Sequence, residues 1–248
     1  MINTFGNYGY SVKLTSVRNT DSVEKYLEIA GRRDSSAFVL LMPRAREIVS
    51  AFQLTGKPVL VLFPQGRFVN VNQLVDSPHL VELQFNHLYE LGHRQILYLQ
   101  DCWQSQSRTQ AGRVLDYYRL MSRNGIPVPS HWQTDYRNGA LCDVLAQAFS
   151  RQPWPTGLIV SDSAVSAVYD FLRRRNLVIG RDVSVVATDG VSFLEPLSPS
   201  VSTTVMNGVH ISDMAWKLLN KQFKGDKGFE CKEVEIEFKQ GGSSGRKQ

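Results

Sequence analysis

The 248-residue chain carries 28 Lys and Arg against 23 Asp and Glu, a formal charge of +5, with 42% hydrophobic and 21% charged residues. This is an ordinary globular composition, long enough for one large domain or two lobes. No apolar run approaches the roughly 18 residues needed to span a bilayer. MINTFGNYGYSV has neither a basic region nor the long apolar stretch of a secretory signal, so a cytoplasmic protein without membrane contact is expected.

Strand and helix patterns then alternate along the chain. YSVKLTSV (Tyr10–Val17) predicts a strand, followed by a helix around Ser22–Arg33. AFVLLM (Ala37–Met42) predicts a buried strand and Arg44–Leu54 a helix; Gly56-Lys57-Pro58 breaks it before a strand over Val59–Phe63. Pro64–Val75 reads as a long polar loop, a connection between lobes. Asp76-Ser77-Pro78 opens a helix that ends at Leu91-Gly92, with Gly92 placed as a left-handed C-cap. A strand at Ile96–Leu99 leads through a polar loop to a helix over about Gln110–Asn124, stopped by Gly125-Ile126-Pro127. The helix around Gly139–Phe149 presents Leu141, Val144, Leu145 and Ala148 on one face. A strand at Gly157–Val160 precedes a helix with Ala164, Val165, Val168, Phe171 and Leu172 on one face, then a strand over Asp182–Ala187. Ile211, Met214, Ala215 and Leu218 mark another amphipathic helix. VEIEF (Val234–Phe238) alternates strictly, as a half-exposed edge strand does, and GGSSGRKQ reads as a flexible tail. The alternation predicts a doubly wound α/β protein with parallel sheets.

The strand at Asp182–Ala187 is a nearly continuous apolar run that stops at Thr188-Asp189-Gly190. Polar residues just past the carboxyl end of such a strand either open a turn or face a ligand crevice. Other chemical signatures are missing from the sequence. There is no GxGxxG turn, phosphate loop, HExxH or GxSxG elbow, so neither an enzyme nor a bound cofactor is expected. His79, His87, His93, His131 and His210 form no ligand pattern and read as surface or helix-end residues rather than metal ligands. Cys102, Cys142 and Cys231 are scattered and odd in number, which argues against disulfides and zinc. The basic runs Gly31–Arg33 and Arg173–Arg175 fall at expected helix ends, where cations suit the macrodipole, so they do not mark a nucleic-acid surface.

Three segments, in order, resemble the lactose-repressor (LacI/GalR) family. HLYELGHRQILYL (His87–Leu99) resembles its helix-then-strand signature. Thr156–Gly190 resembles its strand, Asn-Asp turn, helix and second strand ending in Asp-Asp. LSPSVSTTVMNGVHISDMAWKLL (Leu197–Leu219) is similar to its Leu-Thr-Thr-Val-x-Gln segment and following helix. The resemblance implies the effector-binding core of a transcriptional regulator with a two-lobed, periplasmic-binding-protein-like fold. It also implies a small polar effector between the lobes, sugar-like or nucleobase-like, and a homodimer. Crossings near Val75, Met206 and Lys232 would give one lobe of residues 1–75 with 207–232 and another of 76–206 with 233–248. Family members begin this core with a strand and helix before the segment matched by YSVKLTSV, and MINTF resembles the end of that helix. The chain is therefore expected to belong to a longer polypeptide whose DNA-binding helix-turn-helix lies upstream. The alternative is a transport-type solute receptor of the same fold, which would need export.

The resemblance also nominates site residues. Asp189 falls where the family's carboxylate accepts hydrogen bonds from the effector, and an ionised carboxylate can hold two hydroxyls at once. Ser161 replaces the family's ligand-contacting asparagine; capping the following helix is an equal rival role for Ser161 and the favoured role for Asp162. Tyr136 matches an aromatic position that stacks on effectors, with core filling as the competing role. Asn207 matches a hinge glutamine and Asp76 a crossover aspartate. The family's ligand-gripping arginine sits three residues before a helix glycine. Here that slot is Thr109, and Arg108 lies one residue earlier, turned by roughly 100°.

Overall fold

The computed structural model describes residues 1–18, 21–101, 108–136 and 140–247, without the side chains of 108–110. The chain packs as two compact units, residues 1–77 with 207–235 and residues 78–206 with 236–248.

The first unit contains α1 (Ile2–Gly6), α2 (Val23–Ala30), β1 (Phe38–Leu41), α3 (Arg46–Gln53), β2 (Val59–Leu62) and β3 (Asn72–Val75). In the second, α4 (Leu80–Glu90) leads through β4 (Ile96–Asp101), α5 (Arg108–Arg123), β5 (Asp135–Tyr136), α6 (Leu141–Ala148), β6 (Gly157–Val160), α7 (Val165–Arg174) and β7 (Ser184–Ala187) to β8 (Ser202–Met206). The chain returns to the first unit for α8 (Gly208–Phe223) and β9 (Cys231–Glu233), and closes the second with β10 (Ile236–Lys239).

The first unit's sheet has the order β1-β2-β3-β9, parallel throughout. The second runs β10-β8-β7-β6-β4-β5, parallel except for β10 against β8. The sequence expectation of doubly wound parallel sheets holds.

The strand sequences explain the second unit's layers. Leu97, Leu99, Leu158, Val160, Val185 and Ala187 pack with α6 and α7, whereas Ile96, Tyr98, Ile159 and Val186 pack with α4 and α5. Successive residues point to opposite faces, so a strand covered on both sides must be apolar at every position. Each fully buried Leu, Ile or Val contributes roughly 1.5–3 kcal/mol. Tyr117 of α5 enters this layer without orphaning its hydroxyl, which donates to the Ile96 carbonyl at 2.9 Å.

Several expectations need correction. Tyr10–Val17 forms no strand. A strand needs a neighbour for its ladder hydrogen bonds, none pairs with this segment among the described residues, and Leu14 is exposed. Ala37–Met42 is only half-buried, because β1 is an edge strand and Leu41 and Met42 face outward. Pro64–Val75 is not all loop: its end is β3, paired between β2 and β9, where buried Asn72 accepts from the Glu230 amide at 2.7 Å.

His93 is fully buried and His131 nearly so, contrary to their reading as surface residues. Cys142 and Cys231 are free and exposed, while Cys102 lies outside the described residues.

The Gly/Ser tail is the largest departure. Ser243 and Ser244 are buried against the starts of β7 and β8. The Ser243 hydroxyl donates to the Val185 carbonyl at 2.5 Å and accepts from the Ser202 amide at 2.8 Å. Ser244 Oγ lies 2.6 Å from Ser202 Oγ and 2.7 Å from His87 Nε2. His93 Nε2 donates to the Gly245 carbonyl at 3.0 Å, and Nδ1 meets Thr156 Oγ1 at 3.1 Å. Linker-like composition counts neither the open backbone groups at strand starts nor the hydroxyls able to fill them.

Candidate functional site

Two neighbouring strands set the location. The chain leaves β4 toward β5 on one side, whereas β6 is followed by β7 on the other. Connections that diverge in this way open a crevice outside the carboxyl ends of the strands, because no crossover covers it. Among the described residues a pocket of ≈ 220 Å³ lies there. Tyr98 to Asp101 line it from β4, Ser161 to Ser163 from the turn after β6, and Thr188, Asp189, Val191 and Phe193 from the segment after β7; Arg113 comes from α5.

The turn after β7 resolves the two readings of Thr188-Asp189-Gly190. Thr188 is structural: its hydroxyl donates to the Val160 carbonyl at 3.2 Å and accepts from Gln84 Nε2 at 3.2 Å. Asp189 and Gly190 then adopt left-handed backbone, φ +61° and +60°. Aspartate tolerates that region better than most residues. Gly190 is obligatory, since a Cβ there would lie 2.5 Å from Val205 Cγ1. The turn places the Asp189 carboxylate at the pocket, so Asp189 is both turn residue and lining residue.

Asp189 is accessible at the pocket mouth, yet loss of hydration from the surrounding atoms raises its pKa; the Arg113 guanidinium opposes the rise. Asp162 is more deeply placed, 8% exposed. Its Oδ2 accepts from the Val191 amide at 3.1 Å, whereas Oδ1 is buried with no hydrogen-bond partner among the described residues. Burial pushes its pKa up to about 7; the Val191 amide opposes this and the Asp189 charge adds to it. The amides of Thr188 and Gly190 also favour the ionised form without closing a hydrogen bond on Oδ1. Gln100 is 5% exposed, and its Oε1 is a second buried acceptor without a hydrogen-bond partner among the described residues.

Ser161 holds the N-cap position of the 3-10 turn at Asp162–Ala164, but its hydroxyl makes no capping bond. It lies 3.2 Å from both Tyr136 Oη and Ser163 Oγ. Tyr136 is 7% exposed with its ring in the α6–α7 core, so it stands behind Ser161. Asn207 and Asp76 belong to the first unit. Asn207 caps α8, its Oδ1 accepting from the Val209 and His210 amides at 3.0 and 3.1 Å, and half-buried Asp76 follows β3. Arg108 opens α5, but its side chain lies outside the described residues.

Thus Asp189 and Ser161 share the pocket lining, with Tyr136 one hydrogen bond removed. Most other lining residues escaped the sequence reading, Arg113, Gln100 and Asp162 among them. Arg113 follows Thr109 by four positions and therefore shares its helix face. The rule that singled out Asp189, a polar residue ending an apolar strand, also applies to Gln100. Asp162 was weighed only as a cap.

Among the described residues the lining combines Asp101, Asp162, Asp189 and Gln100 with hydroxyls (Ser161, Ser163), the Arg113 guanidinium and an apolar rim of Val191 and Phe193. That mixture suits a small hydroxylated solute with one less polar face. Among the described residues no group of His, Cys, Asp and Glu is placed to hold a metal ion, and no helix is long and apolar enough to cross a membrane.

The periplasmic binding protein-like domain family matches the chain over residues 85–244. No curated protein matches the chain. Among solved structures, a LacI family transcriptional regulator from Enterococcus faecium with bound ribose is similar, with a TM-score of 0.78 and 17% identity over 98% of this chain and 90% of that one. A LacI transcriptional regulator from a Rhodococcus species has a TM-score of 0.80 and 21% identity over 98% and 91%. A periplasmic binding protein/LacI transcriptional regulator from Alkaliphilus metalliredigens, complexed with D-xylulofuranose, has a TM-score of 0.75 and 16% identity over 98% and 91%.

Proposed function

Since the chain belongs to the periplasmic binding protein-like domain family, we propose that it is the effector-sensing core of a LacI-type transcriptional regulator. A small polar effector, sugar-like or nucleobase-like, seats at the carboxyl ends of β4, β6 and β7. The observation that carries this reading is the convergence of Asp189, Asp162, Ser161 and Arg113 on one pocket at a sheet's switch point. The ribose and D-xylulofuranose bound by similar proteins support a polyhydroxyl ligand. The regulators among those relatives favour this reading over a transport receptor.

In this proposal residues 1–75 with 207–232 and 76–206 with 233–248 act as the two lobes, and Asp76 and Asn207 serve at crossings between them. Asp189 accepts from ligand hydroxyls, Ser161 contacts the ligand with Tyr136 orienting its hydroxyl, and Arg108 remains a further candidate. The protein acts without catalysis, as a homodimer, and DNA is contacted through a helix-turn-helix outside these residues. Effector binding alters DNA affinity through a coupling of about 1–3 kcal/mol, the usual range for such linkage.

Thermal shift against a panel of sugars, polyols and nucleobases tests the proposal. One chemical class should raise Tm in a concentration-dependent, saturable way. A panel without any such member would overturn it.

A further inference from the structure

Five tyrosines are buried among the described residues, and four of them use their hydroxyl within the protein. Tyr26 donates to the Arg18 carbonyl at 2.8 Å, Tyr117 to that of Ile96 at 2.9 Å and Tyr169 to that of Pro199 at 3.0 Å, while Tyr136 meets Ser161 at 3.2 Å. Tyr98 is the exception. It is 4% exposed, its ring stacks on Tyr117 at 5.8 Å, and its hydroxyl has no hydrogen-bond partner among the described residues. Buried phenols normally keep a partner, so an unpaired one points to a ligand.

Tyr98 lies on β4 and lines the strand-end pocket. Its Oη keeps access to solvent, unlike Asp162 Oδ1 and Gln100 Oε1, which are sealed. Arg113 and Asp189, which line the same pocket, both act on it: burial pushes the phenol up to about 12, Arg113 opposes the rise and Asp189 adds to it. The hydroxyl therefore keeps its proton at neutral pH and lies within the field of Asp189. That carboxylate, accessible at the pocket mouth, also has no hydrogen-bond partner among the described residues.

A phenol that donates and a carboxylate that only accepts can be joined by few groups. An ammonium has protons for the carboxylate but no lone pair for the phenol proton. A carbonyl takes the phenol proton, offers none in return and sets its oxygen against the carboxylate charge. A hydroxyl does both through one atom. Resting on the effector-core reading, we propose that Tyr98 is a specificity-determining residue, whose phenol donates to an effector hydroxyl that in turn donates to Asp189. The effector is thereby a sugar or polyol, and the apolar rim of Val191 and Phe193 takes the C–H face of its carbon skeleton.

Calorimetric titration of the full chain and of Tyr98→Phe tests this against the common pentoses and hexoses, their alditols, and adenine, guanine, hypoxanthine and uracil. A sugar or alditol should bind wild type, and Tyr98→Phe should weaken it about tenfold, the ratio that ~1.4 kcal/mol sets. Tm without ligand should not fall, because the deleted hydroxyl holds nothing in the protein; a merely structural role would lower Tm and leave affinity alone. Among that compound's monodeoxy derivatives, one should lose about tenfold on wild type and less than about twofold on Tyr98→Phe, which marks the hydroxyl seated on the phenol. Unchanged affinity in Tyr98→Phe, a lowered Tm, or equal losses on both proteins for every derivative overturns the role of Tyr98 while leaving the effector-core reading standing. Binding of nucleobases alone does the same. Failure of every compound overturns the core reading as well.

Discussion

Asp162 illustrates how one side chain couples the pocket to stability. Its carboxyl, ordinarily at 3.8, is raised to about 7 in the folded chain, chiefly by burial. Between those values the folded state holds more protons than the unfolded one, so this group's contribution to stability falls as pH rises through that window. Wild-type Tm should therefore lose more between about pH 5 and about pH 8 than the Tm of Asp162→Asn, whose amide does not ionise. Parallel pH curves would show that Asp162 titrates as an ordinary surface acid. Arg113 acts at the same scale through charge. Arg113→Ala should raise the Asp189 pKa further, because it removes the cation that favours the ionised form. Titration of the Asp189 carboxyl by NMR reads this directly, and an unchanged or lowered pKa would mean that the guanidinium does not act on Asp189.

The C-terminal clasp is the element that composition least foretells. Ser244 joins His87 and Ser202, so Ser244→Val should cost about 2 kcal/mol in urea unfolding, roughly 1 kcal/mol for each hydrogen bond lost. Gly245→Ala should cost more, because a Cβ there collides with the Gly180 carbonyl and neither backbone can give way cheaply. Equal stability of Gly245→Ala and wild type would mean that the tail does not pack this way.

The clasp is also pH-sensitive, because burial lowers the pKa of both His87 and His93. A depressed histidine contributes stability that is complete above its unfolded pKa of about 6.5 and is lost as pH falls. Hydrogen exchange at the Ser243 and Lys247 amides, bonded to Ser200 and Leu91, should accelerate relative to the β7 amides between pH 7 and about pH 5. Constant relative protection would contradict this.

The same scale shows where the sequence is legible. VLVL, GLIV and SVVA declare buried strands because both faces must be apolar, and Gly92, at φ +93°, declares a helix end. The tail stays hidden because its order comes from residues 39 or more positions away, and YSVKLTSV misleads because a β-rich pattern forms no strand without a neighbour. In the pocket, Asp189 is legible as the polar stop of an apolar strand. Arg113 and Gln100 emerge once α5 and β4 are placed together around it.

For the molecule as a whole, the family match and the strand-end pocket support one account: a scaffold that presents a carboxylate to a small solute. Asp189→Ala tests it most directly, since the residue is accessible at the pocket mouth and outside the core clusters. Calorimetric titration of wild type and variant with the compound that most raises the wild-type Tm should show affinity reduced about tenfold or more, as loss of a charge-assisted hydrogen bond requires. Tm without ligand should fall little. Equal affinities in the two proteins would contradict the account.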